Sequence, residues 1–156
     1  MNLGEHPTNQ IRIDPFVQGS HIQFITVGNN ATLNVFRMDT ESKQLSNFDV
    51  GVPESIKDRH FLCADYTHPL PGTGGQDGRN AVYTIIGADD GTLLTYNADD
   101  NEWINVDSRS RICQGQIGCL SIKGEYVVAA DQQGMLVHYK INGSEINPED
   151  PDDILK

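Results

Sequence analysis

The side chains that could do chemistry in this chain cluster at turns or stand alone. Asp89-Asp90 and Asp99-Asp100 are adjacent carboxylates. Two carboxylates can divide acid and base work when their environments differ. Both pairs stand at turn tips, where turn propensity alone accounts for aspartate. The run Asn97-Ala98-Asp99-Asp100-Asn101-Glu102 begins like a calcium loop. Its sixth position is Glu102, where a glycine is required, and its twelfth is Ser108, where a bidentate Glu is required. A solvated turn is expected there. The glycine-rich stretch around Gly72, Gly74, Gly75 and Gly78 invites a phosphate-binding reading. It contains no GxxxxGK[ST], and Asp77 replaces the last glycine of a GxGxxG that starts at Gly72. An aspartate there repels phosphate, so a surface insertion is expected.

The five histidines, His6, His21, His60, His68 and His138, show no i,i+2 or i,i+4 pairing, and no nucleophile elbow is present. Cys63, Cys113 and Cys119 lack a CxxC spacing, which argues against structural zinc. Buried free thiols in a reducing compartment are the expectation. No catalytic residue, cofactor ligand or metal ligand is assigned.

The elements that carry these residues read as short strands. The 156-residue length suits one domain. Fifteen glycines, with many Asn and Asp, imply frequent turns. A net charge of -11 disfavours nucleic acid and anionic membrane surfaces as partners, since both call for a basic face. The first residues lack a basic region followed by an apolar run, and no apolar stretch has transmembrane length. A cytoplasmic location is expected.

Residues 1–10 read as a flexible lead-in. Ile11-Arg12-Ile13 alternates as a short strand, and His21 to Val27 is a strong one. Gly28-Asn29-Asn30 turns the chain, Thr32 to Arg37 returns, and Gln44 to Val50 reads as an outer strand. A second unit follows: Phe61 to Tyr66, a loop insertion over 67–80, Ala81 to Ile86, a turn at Asp89-Asp90-Gly91, a return through Tyr96, and Glu102 to Val106. The third unit opens with Gly115 to Ile122, Lys123-Gly124 turns, Glu125 to Ala130 is a strand, and the hairpin of Asp131 to Tyr139 follows. Residues 147–156 are acidic and proline-broken and read as a tail. Glu54 to Phe61 has room for one helical turn at most.

The hairpin recurs. Gly28 to Phe36, Ala88 to Tyr96 and Asp131 to Tyr139 share a polar turn, a leucine and a terminal aromatic. Gly91 and Gly134 stand 43 residues apart, the spacing of a four-stranded propeller blade, and Ala31 and Gly91 stand 60 apart. The 67–80 insertion supplies most of the excess.

On these residues the chain resembles the WD-repeat β-propellers, over roughly 11–146. Asp90-Gly91-Thr92-Leu93-Leu94-Thr95-Tyr96-Asn97 looks like their third strand, with Tyr96-Asn97 in place of the Trp-Asp pair. Phe36-Arg37 and Tyr139-Lys140 hold the same place in the other units. The divergent aromatic is most similar to large WD-repeat proteins of cilia and flagella and to microtubule-associated propellers. The resemblance implies an all-β fold of three four-stranded antiparallel blades (11–50, 60–107 and 115–146). Three blades do not close a ring, because propellers have four to eight. A segment of a longer propeller, or a partner that completes another chain's ring, is therefore expected.

The function implied is a non-catalytic protein–protein interaction scaffold in a large assembly, the ciliary axoneme being the specific expectation. Trp103 on the outer strand, and Gly74, Asp77 and Arg79 in the insertion, are the candidate partner contacts. Phe36, Tyr96 and Tyr139 are expected in inter-blade packing. The competing possibilities are a propeller hydrolase or oxidoreductase with an axial site, and a β-sandwich of two facing sheets.

Overall fold

The computed structural model describes residues 7–16, 19–70, 80–106, 112–142 and 145–148. Its strands form three four-stranded antiparallel sheets, each a meander in chain order. Sheet 1 contains β1 (Thr8–Ile13), β2 (His21–Gly28), β3 (Thr32–Asp39) and β4 (Leu45–Phe48). Sheet 2 contains β5 (Phe61–Tyr66), β6 (Tyr83–Ala88), β7 (Leu93–Asn97) and β8 (Glu102–Asn105). Sheet 3 contains β9 (Ile117–Lys123), β10 (Tyr126–Asp131), β11 (Leu136–Asn142) and β12 (Glu145–Pro148). One 3-10 turn, Glu54–Ile56, lies between sheets 1 and 2. β1 begins at Thr8, inside the stretch assigned to the lead-in. β12 reaches Pro148, where a proline can end an edge strand without breaking a central ladder. Most of the 67–80 insertion lies outside the described residues.

The sheets stack in the order 1, 2, 3, with their first strands β1, β5 and β9 side by side. Side chains stitch each first strand to the next backbone. Asn9 Nδ2 donates to the Phe61 carbonyl (2.8 Å) and Arg12 Nε to the Ala64 carbonyl (3.1 Å). Asp65 Oδ2 accepts from the Ile122 amide (3.2 Å). This is the arrangement of consecutive propeller blades, and the two-sheet sandwich is excluded.

Two apolar layers hold the stack. Ile25 pairs with Val35 and Val27 with Leu33, so all four project from one face of sheet 1. They meet Ala64, Tyr66, Ile86, Leu94 and Tyr96 of sheet 2. The opposite face of sheet 2, with Cys63, Ile85 and Leu93, meets Ile117, Leu120, Val127, Ala129 and Tyr139 of sheet 3. Sheet 2 is thus sealed on both sides, and every residue of β6 and β7 is buried. This explains the apolar run at Ile85-Ile86, which does not alternate as a half-solvated strand would. Gly87 serves close approach. A Cβ there would stand 2.7 Å from Ile117 Cγ2 and 2.8 Å from Cys63 Sγ, so its absence lets Ile117 of sheet 3 seat against β6.

One hydrogen bond confirms the repeat register. The amides of Asn29, Asp89 and Gln132 donate to the carbonyls of Pro7, His60 and Gln116, closing each hairpin turn onto its own blade. These amides stand 60 and 43 residues apart, the offsets of the sequence repeat.

Candidate protein-interaction faces

Each blade has a backward face, toward the preceding blade, and a forward face, toward the following one. Among the described residues each sheet-to-sheet contact sets a forward face on a backward face. No described blade lies against the backward face of sheet 1, where Thr26 and Phe36 are nevertheless buried, or against the forward face of sheet 3.

The repeat offsets show what these faces are built for. Val128 and Leu136 of sheet 3 match Ile85 and Leu93 of sheet 2, and Ile25 and Leu33 of sheet 1. The four inner equivalents are at most 5% exposed, whereas Val128 is 39% and Leu136 68% exposed. At the other end Ile11 and Ile13 match Ala64 and Tyr66, which are buried against sheet 1. Ile11 is 53% and Ile13 64% exposed. Beside them Phe24 and Phe36 stack, with centroids 4.9 Å apart. Leucine, valine and isoleucine side chains on a solvated sheet face forgo the burial that their equivalents gain. The run Tyr126-Val127-Val128-Ala129-Ala130 carries apolar side chains to both faces, as a doubly covered strand does.

The three expected aromatics divide accordingly. Tyr96 packs between sheets 1 and 2, and Tyr139 between sheets 2 and 3. Phe36 takes the same backward-facing position in sheet 1 and is buried there at 4% exposure, stacked on Phe24, although no described blade precedes it.

The hairpin tips show the same pattern. Tip 1 is held by the linker to the next blade: the Ala31 amide donates to the Arg59 carbonyl (2.6 Å) and the Asn30 amide to His60 Nδ1 (3.0 Å). Tip 2 is held likewise, because the Gly91 carbonyl accepts from the Ile112 (2.9 Å) and Cys113 (3.1 Å) amides. At tip 3 nothing described lies within 4 Å of where a Gly134 Cβ would be.

The chemically suggestive residues have structural work. Asp89 Oδ1 accepts from the His60 amide (2.9 Å). Asp90 accepts from the Thr92 amide and hydroxyl and meets Arg59 Nε at 3.0 Å. Asp100 Oδ2 accepts from Asn97 Nδ2 (2.7 Å), while the Asp99 amide donates to Asn97 Oδ1, closing the turn that resembled a calcium loop. Among the described residues no group of three His, Cys, Asp or Glu side chains is placed to hold a metal ion. Cys63 and Cys113 are buried and in no disulfide, and burial pushes both thiol pKa values up, Cys63 to about 12. A thiol so shifted carries almost no nucleophilic thiolate at neutral pH. Cys119 is a correction: it is exposed, because it pairs with Ala130 on the open face of sheet 3.

Of the four candidate contacts, Gly74, Asp77 and Arg79 lie outside the described residues. Trp103 is engaged within the chain. Its ring lies against Phe61 (5.8 Å) and Tyr96 (5.2 Å), and Nε1 donates to the Gly51 carbonyl (2.8 Å) in the linker after sheet 1. Only part of its surface remains for a partner. Trp103→Ala is expected to cost about 2–3 kcal/mol, less than a fully buried aromatic, and Trp103→Phe about 1 kcal/mol through the lost hydrogen bond. Urea melts of the purified chain measure both. Unchanged stability in Trp103→Ala would mean that the indole does not fasten the blades.

No family model matches this chain, and no curated protein matches it in sequence. Solved structures do resemble it. One is a chain in the crystal structure of the mitotic checkpoint complex, 13% identical with a TM-score of 0.49, over 94% of this chain and 43% of that one. Another is the computationally designed Ika4 protein, 13% identical with a TM-score of 0.45, over 89% of this chain and 94% of that one. The chain spans less than half the length of the first.

Proposed function

We propose that this chain is a non-catalytic interaction scaffold, a propeller segment whose two end faces are covered by further protein blades. The exposure of Leu136, set against the burial of Leu33 and Leu93 at equivalent positions, carries this reading. An apolar face of that shape suits another protein sheet better than solvent, nucleic acid or lipid headgroups. The hairpin tips, the 67–80 insertion with Gly74, Asp77 and Arg79, and the free part of Trp103 form a second, polar contact set. Because the hairpin pattern resembles that of WD-repeat proteins of axonemes and microtubules, a microtubule-based assembly, in the cytoplasm or cilium, is the first to test.

The test places a photo-crosslinking amino acid at Ile13, at Val128 and, as a control, at exposed Lys43, in the native cell. Protein adducts are expected from both faces and not from the control. Adducts from neither face would overturn the proposal. Co-sedimentation with microtubules tests the location separately.

A further inference from the structure

We infer that a notch in the outer edge of sheet 1 docks a short extended peptide, which adds to β3 where β4 leaves it. The notch lies away from the end faces and does not depend on what covers them. β3 begins at Thr32, but its ladder with β4 stops at the Val35–Phe48 pair. Beyond that pair the chain is drawn off toward sheet 2. Asn101 Nδ2 donates to the Asp49 carbonyl (3.4 Å) and Trp103 Nε1 to the Gly51 carbonyl (2.8 Å). The cleft opened between β3 and residues 49–52 has a volume of about 350 Å³, at the small end of ligand clefts.

The backbone of β3 points into this cleft. The Asp39 amide donates to the Gln44 carbonyl on the β4 side (3.0 Å). Backbone direction alternates along a strand, so Arg37, Val35 and Leu33 turn their peptide groups to that same side. Arg37 and Val35 pair there with Ser46 and Phe48, whereas Leu33 has no backbone partner on that side among the described residues. Its N–H and C=O form a short unpaired sheet edge, to which an extended residue can add by exchanging two hydrogen bonds. The side chains select the peptide. Leu33 and Val50 belong to the apolar layer between sheets 1 and 2, and half-exposed Phe48 pairs on their side. Asn34 and Asn47 lie on the opposite face, where their carboxamides offer both donors and acceptors. Asp49 is the one charged residue among those lining the cleft. Residues 32–34 give about 10 Å of edge, enough for three extended residues. The occupant is therefore an extended peptide with an apolar residue opposite Leu33, a polar residue on either side, and a Lys or Arg beside Asp49.

Selection of a displayed library of random eight-residue peptides on the purified chain tests this, followed by titration of the synthesised winners. Peptides with the polar–apolar–polar pattern and a basic residue are expected. Asn47→Ala/Asp49→Lys should weaken their binding by about tenfold or more. Both side chains are exposed, so the fold should persist, which circular dichroism checks. N-methylation of the peptide's apolar residue, which removes the N–H offered to the Leu33 carbonyl and leaves every side chain in place, should weaken binding as much. No enriched peptide overturns the inference. So do winners whose binding ignores the Asn47/Asp49 changes, since they bind elsewhere. Winners that respond to those changes but not to N-methylation are held by side chains alone, and strand addition falls. None of these outcomes alters the photo-adducts expected at Ile13 and Val128, so the scaffold reading is tested separately.

Discussion

Replacing Gly91 by alanine is expected to cost about 3–5 kcal/mol, and the same change at Gly134 only about 1–2 kcal/mol. The two glycines are repeat equivalents with nearly the same backbone, φ +83° and +85°. Both alanines bear the left-handed strain of an L residue, about 1–2 kcal/mol. The difference is what stands beside them. A Cβ on Gly91 would lie 2.2 Å from the Cys113 carbonyl oxygen and 2.8 Å from its carbon. Those are backbone atoms, fixed because the Cys113 and Ile112 amides donate to the Gly91 carbonyl. Making room pushes the linker away, loosens those bonds and opens the seam between blades 2 and 3. A Cβ on Gly134 meets nothing within 4 Å. Denaturant melts of the two variants measure the gap. Equal costs would mean that the linker does not clamp tip 2. With total stabilities of about 5–15 kcal/mol, the larger cost approaches loss of fold.

That contrast marks what the residues disclosed in advance. The hairpins were legible because their tips carry Gly, Asn and Asp at fixed offsets, and those offsets match the hydrogen bonds that close each turn. The all-β class and the blade count followed. The face taken by each side chain was not legible. Alternation reports a face only when one side is solvated, and Val127-Val128-Ala129-Ala130 is apolar on both. Cys119 illustrates the cost. Between Gly118 and Leu120 nothing local says whether it points inward, and the register with Ala130 turns it outward. Trp103 shows a different limit. Its outer-strand position was legible, but its bond to Gly51 joins residues 52 apart, a contact that no local pattern encodes.

The open faces follow from both kinds of information. The repeat offsets say which residues are equivalent, and the structure says which equivalents are covered. Neither alone distinguishes Leu136 from Leu93, which share a hairpin position and differ in whether a described blade packs against them.

Alkaline pH is expected to weaken the fold through Cys63, the second large effect. Its thiol is nearly inaccessible between sheets 2 and 3, donating to the Ile117 carbonyl at 3.3 Å. Burial first, and nearby Cys119 second, raise its pKa from 9.0 to about 12. The sign follows from proton binding. Above the unfolded value the unfolded chain has released this proton while the folded chain still holds it, so rising pH favours unfolding. The contribution is fully present below pH 9.0 and is lost as pH climbs through about 12. At 1.36 kcal/mol per pKa unit the loss is about 2 kcal/mol by pH ~10.5 and up to about 4 kcal/mol at the limit. Cys63→Ala removes this slope and costs about 1–2 kcal/mol at neutral pH, through the vacated volume and the lost hydrogen bond. Buried Tyr66 and Cys113, both with raised pKa values, leave a residual slope in either protein. Wild type should therefore lead at pH ~7 and lose that lead by pH ~10.5, a convergence that urea midpoints across the range record. Parallel curves would place the Cys63 thiol within reach of water, and the seal between blades 2 and 3 would then be looser than its packing indicates.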